Sequence, residues 1–140
     1  MNASRKEGLS ALGLLILRIG GGGMMLTHGW GKLNMLMSGA DQFPDPLGVG
    51  PQLSLILAVF AEFLCSILLI LGAGTRLVAM PLLFTMFMAA FIIHGDDPFQ
   101  KQELALLYGT IYLALILNGA GRFSLDHAVG SKVKLWRNFV

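Results

Sequence analysis

The sequence predicts an all-α integral membrane protein, a bundle of four helices with the N-terminus and the C-terminus both cytoplasmic. Three observations carry this expectation. Of 140 residues, 55% are hydrophobic and 13% charged, and the mean hydropathy is +0.71, above what a water-soluble domain of this length sustains. The apolar residues gather into stretches at about 9–30, 53–71, 77–93 and 103–118, each near the roughly 17 to 25 residues a tilted membrane helix needs. With the N-terminus inside, Arg5, Lys6, Arg76, Arg122, Lys132, Lys134 and Arg137 fall on the inner side and only Lys32 and Lys101 on the outer, as the positive-inside rule requires. So little chain lies outside the spans that residues 1–140 read as a single membrane domain with a basic cytoplasmic tail over 122–140. No room is left for a soluble catalytic module.

The first span follows Arg5 and Lys6, as the core of a signal peptide would. It is too long for one, contains Arg18, and lacks a small-residue cleavage site before His28. Arg18 lies in its middle, where a guanidinium costs between about 2.5 and 17 kcal/mol and therefore needs a partner or water. Four glycines at 20–23 follow. Small residues let a neighbouring helix approach closely; a locally unwound backbone lining a cavity is the alternative. The connection over 34–51 is rich in Gly, Pro and Asp and is too long for a tight turn, so it is expected to lie across the outer surface as a cap.

The second span is apolar except for Glu62, Ser54 and Ser66, and its lone Cys65 is expected to pack as a small apolar residue. Gly72-Ala73-Gly74 is a helix stop, and Arg76 opens the third span. Pro81 sits in the first turns of that span, where it can introduce no more than a mild kink. His94-Gly95 ends it, Asp96-Asp97-Pro98 makes a turn, and the fourth span is the shortest. The stretch 69–76 echoes 115–122, as two hairpins in parallel repeat would, although any two helices ending in Gly-rich stops before arginine look alike in this way.

Depth, counted at about 1.5 Å per residue, places Arg18 and Glu62 near the midplane as an ion pair between adjacent antiparallel helices. An inter-helix clamp without chemistry is at least as well founded for this pair as a proton- or substrate-handling role. His28, Lys32, His94 and Glu103 form a second layer near the outer interface. Two histidines and a carboxylate can bind a metal, two histidines can ligate haem, and a His/Glu pair can hold the head group of a quinone. No compact metal motif such as HExxH or CxxC is present, so His28 and His94 stand only as candidate ligands, and histidines hydrogen-bonded to neighbours are the simpler reading. The basic tail with Trp136 suits anionic lipid head groups; nothing indicates a nucleic acid.

Arg18 followed by glycines, His28-Gly29-Trp30-Gly31-Lys32, Glu62, the run 72–76, and Gly119-Ala120-Gly121-Arg122-Phe123-Ser124-Leu125-Asp126 together resemble the DoxX family of small bacterial four-helix membrane proteins. That resemblance covers nearly the whole chain. It implies a multi-pass protein of the bacterial plasma membrane linked to redox metabolism, the family being named for a subunit of a thiosulfate:quinone oxidoreductase, with other relatives linked to soluble oxidative-stress enzymes. Its patterned polar positions here include Arg76, Arg122 and Asp126 at the cytoplasmic end.

The expected function is therefore that of a redox-associated membrane protein, a subunit or partner of an oxidoreductase without independent catalytic activity, that handles a quinone-like or other small lipophilic molecule. Arg18 and Glu62 would set the electrostatics of its pocket, and His28, Lys32, His94 and Glu103 would hold the head group. The expected partners are membrane lipid, an oxidoreductase and further copies of the chain. A small transporter or proton-linked channel, and a scaffold that recruits soluble redox enzymes through its tail, are the alternatives.

Overall fold

A computed structural model describes residues 3–39 and 42–130, and within them the chain is helix, turn and loop, with no strand. The helices are α1 (Ala3–Met37), α2 (Pro51–Leu71), α3 (Thr75–Ile93), α4 (Phe99–Asn118) and the short α5 (Leu125–Gly130). Three of them, α1 over Ser4–Met37, α2 and α3, are long and apolar enough to cross a membrane. The expected span at 103–118 lies within α4, a helix of 20 residues. Its first turns carry Gln100, Lys101, Gln102 and Glu103, which keep it out of that group. The tail residues Lys132, Lys134, Trp136 and Arg137 lie outside the described residues.

The first span is longer than its apolar stretch implies. α1 has 35 residues, about 52 Å at 1.5 Å each, against a hydrocarbon core of about 30 Å. His28 does not close the helix, which continues to Met37, and the glycines at 20–23 stay helical throughout. They serve contact instead. A Cβ on Gly22 would lie 2.7 Å from Ile70 Cγ1, and one on Gly21 would lie 2.9 Å from Ile111 Cγ2.

The tightest approach is at Gly29, where a Cβ would strike the backbone of Glu62 and Phe63. Gly29 opposite Glu62 and Gly22 opposite Ile70 define the antiparallel register of α1 and α2. A π-helical stretch, Phe60–Cys65, forms the part of α2 that meets Gly29. A second π-helical stretch, Ala89–Ile93, ends α3.

Continuing the same register one turn brings Arg18 to the α2–α3 turn, where its guanidinium packs on Gly72. That turn holds Gly72 and Gly74 at φ 69° and 63°, a conformation glycine adopts without strain. Met25, Cys65, Leu69, Leu82, Met86, Tyr112 and Leu115 fill the core between the helices, so Cys65 packs as expected. Ile16, Phe84, Phe87 and Leu117 face outward, as a surface solvated by lipid allows.

Replacing Gly29 with alanine forces the α1–α2 contact apart. Overpacking of this kind costs about 1–3 kcal/mol, so Gly29→Ala should unfold in detergent at a clearly lower temperature, whereas Gly23→Ala, with nothing within 4 Å of its new Cβ, should not.

Candidate functional site

A cavity of about 430 Å³ lies between α1, α2 and α3 at the end of the bundle that carries the α1–α2 connection. Its walls are mostly apolar: Leu57, Ala58, Phe60 and Ala61 from α2, and Pro81, Phe84, Met88, Ala89 and Ile93 from α3. Phe43, Pro44, Pro46 and Leu47 of the connection cover it, which is the cap expected there. The polar groups on its lining are Lys32, Ser54, Glu62, Thr85 and His94.

Lys32 Nζ donates to Glu62 Oε2. The Glu62 side chain is 4% exposed and that of Lys32 25%, so the pair is buried at its acidic end and reachable at its basic end. This corrects the expected partnership of Arg18 with Glu62, and the register gives the reason: Gly29 lies against Glu62, and Lys32 is one turn further along the same face of α1. Removing one partner of such a pair strands a buried charge, whereas together they compensate each other.

Arg18 instead belongs to a second polar layer at the opposite end of the bundle, fourteen residues and about 21 Å away along α1. It is fully buried, and its Nη2 donates to the Phe123 carbonyl. Nε and Nη1 have no hydrogen-bond partner among the described residues. Asp126 supplies the compensating charge and also accepts from the backbone N–H groups of Gly74 at 2.6 Å and Thr75 at 2.8 Å. Its own N–H donates to Gly72 O at 2.9 Å. Of the other two positions at this end, Arg76 reaches the Leu117 carbonyl at 3.5 Å, and Arg122 is exposed.

The expected outer layer is only partly assembled. Lys32 and His94 line the cavity with Glu62. His28 is exposed and sets its ring edge-on to Tyr108, with centroids 6.2 Å apart. Glu103 is exposed on α4 and does not line the cavity. His94 Nδ1 lies 2.8 Å from Asp97 Oδ2, and Lys101 Nζ donates to Asp97 Oδ1 at 3.1 Å. The two donors hold the Asp97 carboxyl below its usual range, the His94 contact contributing most. His28 and His94 thus engage different partners, and among the described residues no three His, Cys, Asp or Glu side chains gather as metal ligands.

Asp45 is the residue missed in the sequence. Its carboxylate accepts from Ser54 Oγ at 2.6 Å, Gly50 N at 2.8 Å and Val49 N at 3.1 Å, fastening the cavity cover to the start of α2. The Ser54 hydrogen bond, followed by the backbone ones, lowers its pKa from the usual carboxylate value. An Asp-Pro followed by glycines was the available signal, since Asp bonds its own backbone a few residues on.

Helices long and apolar enough to cross a membrane, with charged side chains compensated inside the bundle, define a helical membrane protein. Residues 13–95 match the DoxX family profile, and the chain belongs to that family. It is similar to an uncharacterized protein of Haemophilus influenzae, 30% identical over 151 aligned positions that cover 100% of both chains. It is 36% identical to a second uncharacterized protein of that organism over 125 positions, 81% of this chain and 88% of the other. The inner membrane protein YqjF of Escherichia coli is 28% identical over 128 positions, covering 89% of this chain and 97% of that one. No solved structure matches the chain.

Asp126→Ala leaves two buried backbone donors without an acceptor, at about 1–3 kcal/mol each, so thermal unfolding in detergent should shift strongly downward. The lowered pKa of Asp45 means that its contribution to stability is present above the usual carboxylate value of about 3.9 and is lost as pH falls through the lower folded value. The difference in unfolding temperature between the native chain and Asp45→Asn should therefore be constant near neutral pH and close in strong acid.

Proposed function

We propose that this DoxX-family membrane protein is the membrane subunit or partner of an oxidoreductase, and that the cavity beside Lys32 and Glu62 holds a small lipophilic molecule with a quinone-like head. In this reading the protein is a multi-pass component of the bacterial plasma membrane, with α4 as the fourth span and both termini cytoplasmic. The cavity then faces the outer leaflet, and further copies of the chain or the oxidoreductase pack on the outward-facing helices.

The observation that supports the reading is the Lys32–Glu62 ion pair set into a mostly apolar wall. Pockets of this kind hold a ligand by its apolar body and orient it by a few polar groups. An ammonium offers three donors and a carboxylate is an acceptor only, so a ring carrying carbonyl or hydroxyl oxygens can accept from Lys32 or donate to Glu62. Arg18, His28 and Glu103 have no part in this head-group contact, which narrows the expected set to Lys32, Glu62 and His94.

The test is anaerobic titration of the purified protein with a short-chain quinol, whose hydroxyls can donate to Glu62 and accept from Lys32. A hydrogen bond to a charged group is worth about 1.5–3 kcal/mol, or roughly 10- to 100-fold in Kd. Saturable binding to the native chain, weakened by at least about tenfold in Glu62→Gln and in Lys32→Met, is the expected result, with circular dichroism showing that both variants remain helical. Absence of saturable binding, or equal affinity in folded Glu62→Gln, overturns it.

A further inference from the structure

We infer that the cavity is loaded sideways from the bilayer, through an opening between α2 and α3, and that its ligand is an amphiphile with a small uncharged head and an apolar tail that stays in that opening. This rests on the ligand-holding role proposed above and adds the route and the chemical class.

The first observation is where the two helices touch. α3 packs against α2 along Phe60–Cys65 and Ser66–Leu71, whereas Pro51–Val59 makes its main contacts outside its own helix with α1. The two helices therefore part toward the end that holds the cavity. The second observation is the mixed character of the lining. Leu57, Phe60 and Phe84 are 44%, 49% and 52% exposed, on the outward faces of α2 and α3, and they line the same cavity as Glu62, which is 3% exposed. One continuous space thus joins the lipid-facing surface to the buried carboxylate.

The third observation is that the end-on route is covered. Phe43, Pro44, Pro46 and Leu47 lie over the cavity, and Asp45 ties that segment to Val49, Gly50 and Ser54. A molecule arriving from water has to displace a fastened cover, whereas one already dissolved among the acyl chains meets only apolar side chains.

The chemistry of the head follows from what is already used. Ser54 Oγ donates to Asp45 and Thr85 Oγ1 to the Pro81 carbonyl at 2.8 Å, and His94 has its Nδ1 taken by Asp97, which leaves only Nε2 for a ligand. Lys32 and Glu62 satisfy one another through one donor and one oxygen, which leaves ammonium donors and a second carboxylate oxygen facing an apolar space. The pair is neutral as a unit, and a net charge on the ligand would have to be desolvated without a counter-charge. A neutral head that both accepts and donates hydrogen bonds fits; a phosphate or a quaternary amine does not.

Photolabelling in anaerobic liposomes tests this with two probes, a quinol whose long isoprenoid tail carries a diazirine and its short-chain analogue without a tail. The expected result is tail labelling on Leu57, Phe60 or Phe84, displaced by the short analogue and reduced at least about tenfold in Glu62→Gln. If the short analogue binds the native chain but the tail labels residues 43–47, or labels nothing near α2 and α3, lateral loading is overturned while the ligand-holding role stands. Failure of the short analogue to bind removes both.

Discussion

The close approach of α1 and α2 at Gly29 and Glu62 sets where the buried-layer cations of α1, Lys32 and Arg18, fall against α2. With no side chain on Gly29, the backbone of α2 comes against α1, and Lys32 falls within reach of the carboxylate. The same register sends Arg18 past the end of α2, to the turn at Gly72. Two polar layers result, and each resolves its buried charge differently. Near the cavity an ion pair is its own compensation; at the other end a guanidinium relies on a carbonyl and on a carboxylate that also binds backbone donors. In a low-dielectric interior such arrangements persist only when both partners are present.

Much of this was legible in the sequence because the signals were local. Hydropathy located the helices, Gly72-Ala73-Gly74 announced a stop, the glycines of α1 announced close contact, and the Pro- and Gly-rich connection announced a cap. The pairing of Arg18 with Glu62 was not recoverable in the same way. The edges of the apolar run do not mark the ends of α1, which begins at Ala3 and ends at Met37, so depth counted from those edges does not tell which residues face each other. The π-helical stretch in α2 is likewise a feature that no hydropathy pattern records. His28 and Glu103 fell out of the expected layer for a related reason: a similar height in the bundle says nothing about which way a side chain faces, and both are exposed.

The two π-helical stretches border the cavity from opposite sides, Phe60–Cys65 on α2 and Ala89–Ile93 on α3. Such bulges rotate the side chains that follow them relative to those before, and they recur at functional sites. Here Phe60 faces outward while Ala61 and Glu62 are buried beside it, so one distorted turn supplies both the apolar rim of the cavity and its acidic floor.

The Asp126 carboxylate has a mechanical side as well. By gripping the N–H groups of Gly74 and Thr75 while its own N–H holds Gly72 O, it fastens α5 to the turn between α2 and α3, and Arg18 packs on that turn from α1. The anchorage of α5 and the compensation of the buried guanidinium thus hang on the same side chain, so that losing Asp126 would undo both at once.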